Sequence, residues 1–427
     1  MSAPHPERLP AIGARESSPA SRLARRLGLF DAVTIGLGAM IGAGIFAALA
    51  PAARAAGSGL LAGLAIAGFV AYCNATSSAA LAARYPESGG TYAYGRHRLG
   101  PFWGFLAGWG FVIGKLASCA AMALTFAYYA APAFARPLAF IAVVAMTAIN
   151  AFGIAKTALA TRLIVAFVLA CLAVVVLAAA FGGHADASRL VPAALDAHGV
   201  LQAAGFLFFA FAGYARIATL GEEVVDPART IPRAIPLALG LTLVVYALVA
   251  VTALVAVGPR ALADSPAPLA AAVESGRFAA FSPVVRIGAT VASLGVLLSL
   301  LAGMGRTAFA MASRRDLPAF LAAVHPRHRV PLRAEITIGA IVAIIVLVAD
   351  VRGAIGFSSF AVLVYYAIAN ASAFTLSASE RRWPRALTVA GVAGCALLAL
   401  SLPLASVIGG AVVLAAGAIV YALRHRQ

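Results

Sequence analysis

The 427-residue chain is 63% hydrophobic and 11% charged, and its formal net charge is +17. A soluble domain carries about a quarter of its residues as charges and cannot bury nearly all the rest, so a soluble globular fold is excluded. The positive balance does not point to nucleic acid, because the basic residues sit in short connections between apolar blocks and no aromatic-interleaved basic patch or nucleic-acid-binding motif occurs.

Residues 1–26 are rich in Pro, Ser, Ala and Arg without an apolar core and a cleavage site, and read as a disordered cytoplasmic tail and not a signal peptide. Apolar blocks follow, of the length that crosses roughly 30 Å of hydrocarbon as a helix, about 20 residues. They show no sustained polar/apolar alternation, which argues against a β-barrel. Twelve spans are expected, at 30–50, 60–83, 102–129, 138–152, 163–181, 200–220, 235–257, 284–312, 334–348, 354–376, 386–403 and 406–423. The fourth is short, and the last two also read as one re-entrant unit. With both termini cytoplasmic, Lys and Arg divide 22 inside to 7 outside, the bias expected of a chain in the cytoplasmic membrane.

The first span holds Gly36, Gly38, Gly42 and Gly44, and each glycine weakens a helix by about 1 kcal/mol relative to Ala. Gly36 and Gly38 suit close helix packing; Gly42-Ala43-Gly44 suits a break in the helix, tolerated only where the backbone lines a cavity or packs in protein. The sixth span is interrupted at Phe209-Ala210-Phe211-Ala212-Gly213, then carries Arg216 and ends in Glu222-Glu223. Interrupted helices at matching positions of two halves point to a transporter site between repeats. Free N–H groups where the first helix resumes favour a carboxylate, carbonyls around Phe209 to Ala212 can accept from an ammonium, and Phe209 is a candidate lid.

Two cations are stranded at depth. Lys115, midway along the third span, costs roughly 2.5–3.5 kcal/mol on insertion scales, so it should face the bundle interior as a structural cation or a solute or coupling contact. Arg216 should snorkel or pair with Glu222 or Glu223, and Arg306, late in the eighth span, should reach lipid phosphates. Carboxylates within the membrane are nearly absent: Asp31 starts the first span and Glu222-Glu223 end the sixth. Two fixed cations disfavour a polyamine or dicationic solute and favour a neutral or acidic amino acid. The four cysteines lie inside apolar blocks without metal or disulfide spacing, and the histidines lie in tails and loops, so no metal site, cofactor or enzyme activity is expected.

Three stretches make the chain resemble the amino acid–polyamine–organocation (APC) superfamily of permeases. The first runs from Gly38 to Phe46. The second is Arg84-Tyr85-Pro86-Glu87-Ser88-Gly89-Gly90-Thr91-Tyr92-Ala93-Tyr94-Gly95, running on to Gly108-Trp109. The third covers 208–232 and closes with Glu222-Glu223, Asp226-Pro227, Arg229 and Ile231-Pro232. A weaker match is Ala312 to Pro318. The resemblance implies an all-α fold of twelve transmembrane helices. It also implies a five-plus-five inverted repeat (27–181 and 200–378) with broken helices one and six, and two accessory helices over 383–423. It implies an amino acid permease working by alternating access, or else an exchanger or an amino-acid sensor on that scaffold. It places the solute carboxylate at Gly42, Ala43 and Gly44, the amino group near Met40, Phe209 and Ala212, and a gate at Phe209, with Ile41, Ala210 and Gly213 in the same breaks and Lys115 near the pocket. Proton-coupled relatives carry a lysine in the fifth helix, and sodium-coupled ones a sodium ion there. The span 163–181 has no ionisable Lys, Arg, Asp or Glu, so a proton-coupling role is assigned in part to Lys115.

Overall fold

A segment in hydrocarbon must bond its own backbone, and the computed structural model is built of helices accordingly. It describes residues 27–42, 44–85, 89–152, 158–192, 194–218, 220, 223–325 and 330–424, and among these no strand occurs, only one isolated bridge between Leu27 and Val224. The expected tail, 1–26, lies outside the described residues.

The chain begins with α1 (Leu29–Met40), α2 (Gly44–Ala56), α3 (Leu60–Arg84) and a short α4 (Thr91–Leu99). Next come α5 (Pro101–Ala130), α6 (Ala135–Ala151) and α7 (Ala158–Phe181). The second half starts with α8 (Ala197–Phe211), a 3₁₀ turn (Ala212–Tyr214) and α9 (Ala215–Ala218), then α10 (Pro227–Asp264), α11 (Pro268–Glu274) and α12 (Ser282–Ser313). It ends with α13 (Leu332–Val348), α14 (Val351–Phe374), α15 (Arg385–Ser401) and α16 (Leu404–Arg424).

Among the described residues, nine helical stretches are long and apolar enough to cross a membrane. The difference from twelve has identifiable causes. Helices α13 and α15 have 17 residues each, and the first span is divided into α1 and α2, with α2 running on into α3 as one stretch. The α15–α16 pair is separated by the break at Leu402-Pro403.

The seventh span starts earlier than its apolar pattern suggests. Helix α10 begins at Pro227 and includes Pro232 and Pro236. A proline removes the donor that would meet the carbonyl four residues back. For Pro232 that carbonyl belongs to Ala228, and Arg382 supplies the missing hydrogen bond at 2.8 Å. At its other end α10 kinks at Gly258, φ 77°, and Arg189 donates to the freed carbonyls of Val255 (3.0 Å) and Ala256 (2.5 Å).

The helices sort into two packed groups. Helices α1, α2, α3, α8 and α10 pack on one another, and α5, α6, α12 and α13 do likewise. Helices α7 and α14 touch both groups, while α15 and α16 pack on the α14 side. The four cysteines are free and buried, in keeping with their apolar surroundings.

Specific contacts fasten both ends of the bundle. At the end rich in Arg, Leu27 N–H donates to the Glu223 carbonyl (3.1 Å), Asp31 pairs with Arg162, and the Tyr94 hydroxyl donates to the Ala218 carbonyl (3.4 Å). Asp316, 1% exposed, accepts from the Tyr92 hydroxyl (2.6 Å) and Arg96 (2.9 Å), fastening α4 to the end of α12. At the opposite end the Tyr129 hydroxyl donates to the Phe46 carbonyl (3.3 Å) and accepts from Leu269 N–H (3.2 Å), so α11 sits over α2 and α5.

Glu380, in the connection before α15, accepts from Ser377 N–H (3.0 Å) and from Arg84 (2.9 Å). Those bonds, the Ser377 N–H first, hold its carboxyl down at about 2 from an ordinary 4.5. A carboxyl depressed in the folded state stabilises above its unfolded value and loses that contribution as the pH falls through its folded value. Glu380→Gln should therefore unfold at a lower temperature than the wild type near neutral pH, and the gap should close as the pH falls below 4.5 toward 2. Thermal unfolding in detergent across that range checks it.

Candidate functional site

The glycine-rich first span is broken where expected. Helix α1 ends at Met40, Ile41 N–H closes the last turn on the Leu37 carbonyl (2.7 Å), and α2 starts at Gly44. Ala43 lies outside the described residues. The first N–H groups of α2 have no partner within the helix and give that end a partial positive charge. Gly42 packs on α12, where a Cβ would lie 2.1 Å from Val296 Cγ2. In the sixth span α8 stops at Phe211 and tightens into the 3₁₀ turn before α9.

The two breaks are pressed together, backbone on backbone. A Cβ on Gly44 would lie 2.6 Å from Ala210 Cα, and one on Gly213 would lie 2.2 Å from the Ala39 carbonyl oxygen. Only a hydrogen fits at either point. Met40, Ile41, Gly42, Gly44, Ala210 and Ala212 are buried, while Phe209 and Gly213 are half-buried. Phe209 alone of Phe208, Phe209 and Phe211 keeps some exposure, as a lid would require.

Two tyrosines complete the breaks, and the sequence reading did not single them out. The Tyr246 hydroxyl, from α10, shares its proton between the Met40 carbonyl (2.5 Å) and the Ala210 carbonyl (3.1 Å). The Tyr366 hydroxyl, from α14, donates to the Ala212 carbonyl (3.1 Å). The expectation of unpaired carbonyls from Phe209 to Ala212 therefore needs amending: the Ala210 and Ala212 oxygens already accept one bond each, and Phe209 O takes the Ala212 N–H. Tyr366 leads on to a buried polar chain. Asn370 donates to the Tyr366 carbonyl (2.9 Å) and to Asn74 (2.6 Å), and accepts from Ser77 (2.6 Å), which connects the second break to α3. Ser293 on α12, three residues before Val296 and so on the same helix face, has a buried hydroxyl without a partner among the described residues. Isolated Tyr and Ser residues in apolar spans give no local signal of these roles.

Lys115 is 8% exposed on α5, with Nζ 5.9 Å from the centre of the Phe111 ring. No hydrogen bond or ion pair joins it to another described residue. Its neighbours on α5 pack on α14, where Ser118 and Ser358 share a hydrogen bond of 2.6 Å. Arg216 is exposed on α9, within electrostatic reach of Glu223 and of Arg306 on α12. Arg306 thus faces other charges of the protein, besides any lipid phosphate it meets. Glu222 lies outside the described residues; Glu223 is half-buried and gives its carbonyl to Leu27.

Residues 31–423 match the family described as amino acid permease. The chain is 64% identical over 405 residues to an uncharacterised transporter of Mycobacterium tuberculosis, covering 94% of this chain and 92% of that protein. It is 26% identical over 440 residues to the branched-chain amino acid permease BcaP of Bacillus subtilis, covering 95% and 94%. It is 27% identical over 388 residues to the chloroplastic cationic amino acid transporter 7 of Arabidopsis thaliana, covering 83% and 66%. With the helical bundle and its apolar stretches, these matches establish that the chain belongs to the amino acid permease family, within the APC superfamily, and is a multi-pass membrane transporter of amino acids and not an enzyme.

Proposed function

We propose that the chain is a secondary active transporter that carries a neutral or acidic amino acid across the cytoplasmic membrane by alternating access. The observation that carries this reading is the apposed pair of helix breaks, Gly44 against Ala210 and Gly213 against Ala39. In this reading the protein has twelve spans, with α13 and α15 as short ones of about 26 Å. Residues 27–181 and 200–378 are inverted repeats, and 383–423 holds the two accessory helices. The tail 1–26 and both termini are cytoplasmic, in line with the 22 to 7 division of basic residues.

The solute carboxylate sits at the start of α2, over Gly42, Ala43 and Gly44, where the helix end is positive. The ammonium lies against the second break, between Met40 and Phe209 to Gly213. A carbonyl oxygen has two lone pairs, so Ala210 and Ala212 can accept from the solute as well as from Tyr246 and Tyr366. Phe209 covers the solute, with Ile41 behind it. Arg216, Glu222 and Glu223 belong to the gate at the basic end. Opening there requires release of the Leu27–Glu223 and Asp31–Arg162 contacts, and opening opposite requires release of Tyr129 from Phe46 and Leu269. Lys115, a buried cation with no counter-charge among the described residues, repels a cationic side chain and contributes to coupling. The branched-chain relative suits a neutral substrate better than the cationic transporters do.

Proteoliposome uptake of labelled leucine, glutamate and arginine, with and without pH and sodium gradients, tests the proposal. Gradient-driven accumulation of leucine or glutamate is expected. Counterflow without accumulation identifies an exchanger, and binding without either identifies a sensor. Uptake of arginine alone overturns the substrate assignment. Replacing Lys115 by Met should weaken the dependence of uptake on pH, and an unaltered pH profile sinks its coupling role. Tyr246→Phe leaves two buried carbonyls short of a donor and should cost about 1–3 kcal/mol of stability. Its unfolding temperature should fall and its transport rate with it, while Tyr72→Phe on the exposed face of α3 changes neither.

A further inference from the structure

Helix α13 opens with Leu332-Arg333-Ala334-Glu335 and places a carboxylate in its first turn. A first-turn acid ordinarily stays in water or folds back onto the free N–H groups of its own helix. Glu335 does neither. It is 6% exposed, and its buried Oε2 has no hydrogen-bond partner among the described residues. The side chain reaches across to α12 instead, where a Cβ on Gly305 would lie 2.9 Å from Glu335 Cγ. The absent side chain of Gly305 is what makes room for the carboxylate between the two helices.

The elements packed on α13 bring few charged side chains. Helix α12 brings Arg306, the residue after Gly305, near enough to act on the carboxylate without bonding to it. Arg306 acts in turn on Arg216 of α9. Helix α5 has Lys115 as its only Lys, Arg, Asp or Glu, and α6 has only Arg136, which bonds the Leu347 carbonyl at the far end of α13. The 3₁₀ turn Ala319–Ala322 has none, and α13 itself adds Arg333. No group of three His, Cys, Asp or Glu suited to a metal ion occurs among the described residues. One carboxylate supplies too few oxygens for a metal cation, which the neighbouring guanidinium also repels, whereas a proton needs only one oxygen.

We propose that Glu335 is a proton-binding site of the transport cycle, at the basic end of the α12–α13 contact, with Arg306 as the cation that meets the carboxylate when the proton leaves. The proposal rests on the transporter reading above. Oε2 takes a proton and the carboxyl becomes neutral, which relieves the unpartnered buried oxygen. Release to water at that end forms hydronium and restores the carboxylate, whose charge draws Arg306 from its place beside Arg216.

Full-length protein in proteoliposomes tests this. On acidification, infrared difference spectra of the wild type should gain a protonated-carboxyl C=O band that Glu335→Gln lacks and Glu335→Asp keeps. Leucine or glutamate accumulation driven by a pH gradient should fall at least about tenfold in Glu335→Gln and recover in part in Glu335→Asp. Superimposable spectra of wild type and Glu335→Gln overturn the site, and an unchanged gradient response overturns its place in the cycle. If Glu335→Gln fails to assemble, Arg306→Gln replaces it: loss of the cation should move the midpoint of the band to higher pH, and an unmoved midpoint overturns the pairing. A wild type that shows the band but no counterflow of leucine or glutamate upholds the proton site and overturns the substrate assignment instead.

Discussion

In hydrocarbon a backbone carbonyl without a donor costs several kcal/mol, and this protein opens two helices in its interior. The arrangement of the bundle follows from how that cost is met. Gly44 and Gly213 let the broken segments touch through backbone, which shuts lipid out, and Tyr246 spans both breaks from α10 with one hydroxyl. Tyr366 does the same for the Ala212 carbonyl from α14. The breaks thus depend on helices α10 and α14, which must stay in register with them, and any movement of one break is felt at the other through the shared Tyr246 proton.

The same accounting explains features far from the breaks. Pro232 frees the Ala228 carbonyl and Arg382 takes it; the kink at Gly258 frees those of Val255 and Ala256 and Arg189 takes them. Arginines at the ends of the bundle therefore serve as caps as well as markers of topology. Within the spans ionisable groups are few, and each is a problem to be resolved: among the described residues Lys115 has a ring and no counter-charge, and Glu335, toward the basic end, has a nearby cation and an Oε2 without a hydrogen bond. The contacts that close the two ends involve different partners, Leu27 and Asp31 at one and Tyr129 at the other.

Much of this was legible in the residues. Membrane class, helical structure and the existence of both breaks are properties of short windows, set by segment length and by glycine within it. The burial of Lys115 was legible for the same reason, since a lysine amid apolar residues has nowhere else to go. The number of helices able to cross by length was less so: α13 and α15 are 17 residues long, and the apolar pattern hides the proline-rich start of α10. Glu335 escaped notice because it stands one residue inside an expected span, where a carboxylate reads as a solvated helix start.

Sequence by itself determined that this chain lives in a membrane, where its helices run and where two of them fail, because each of those depends on neighbours within about one helical turn or one span. Tertiary structure alone decided what meets the failed segments. Met40 and Tyr246 are 206 residues apart, and Ala212 and Tyr366 are 154 apart. Glu335 became a buried group only when Gly305 of another helix admitted it. Such pairings arise from which faces the packed helices present to one another, and no local pattern encodes them.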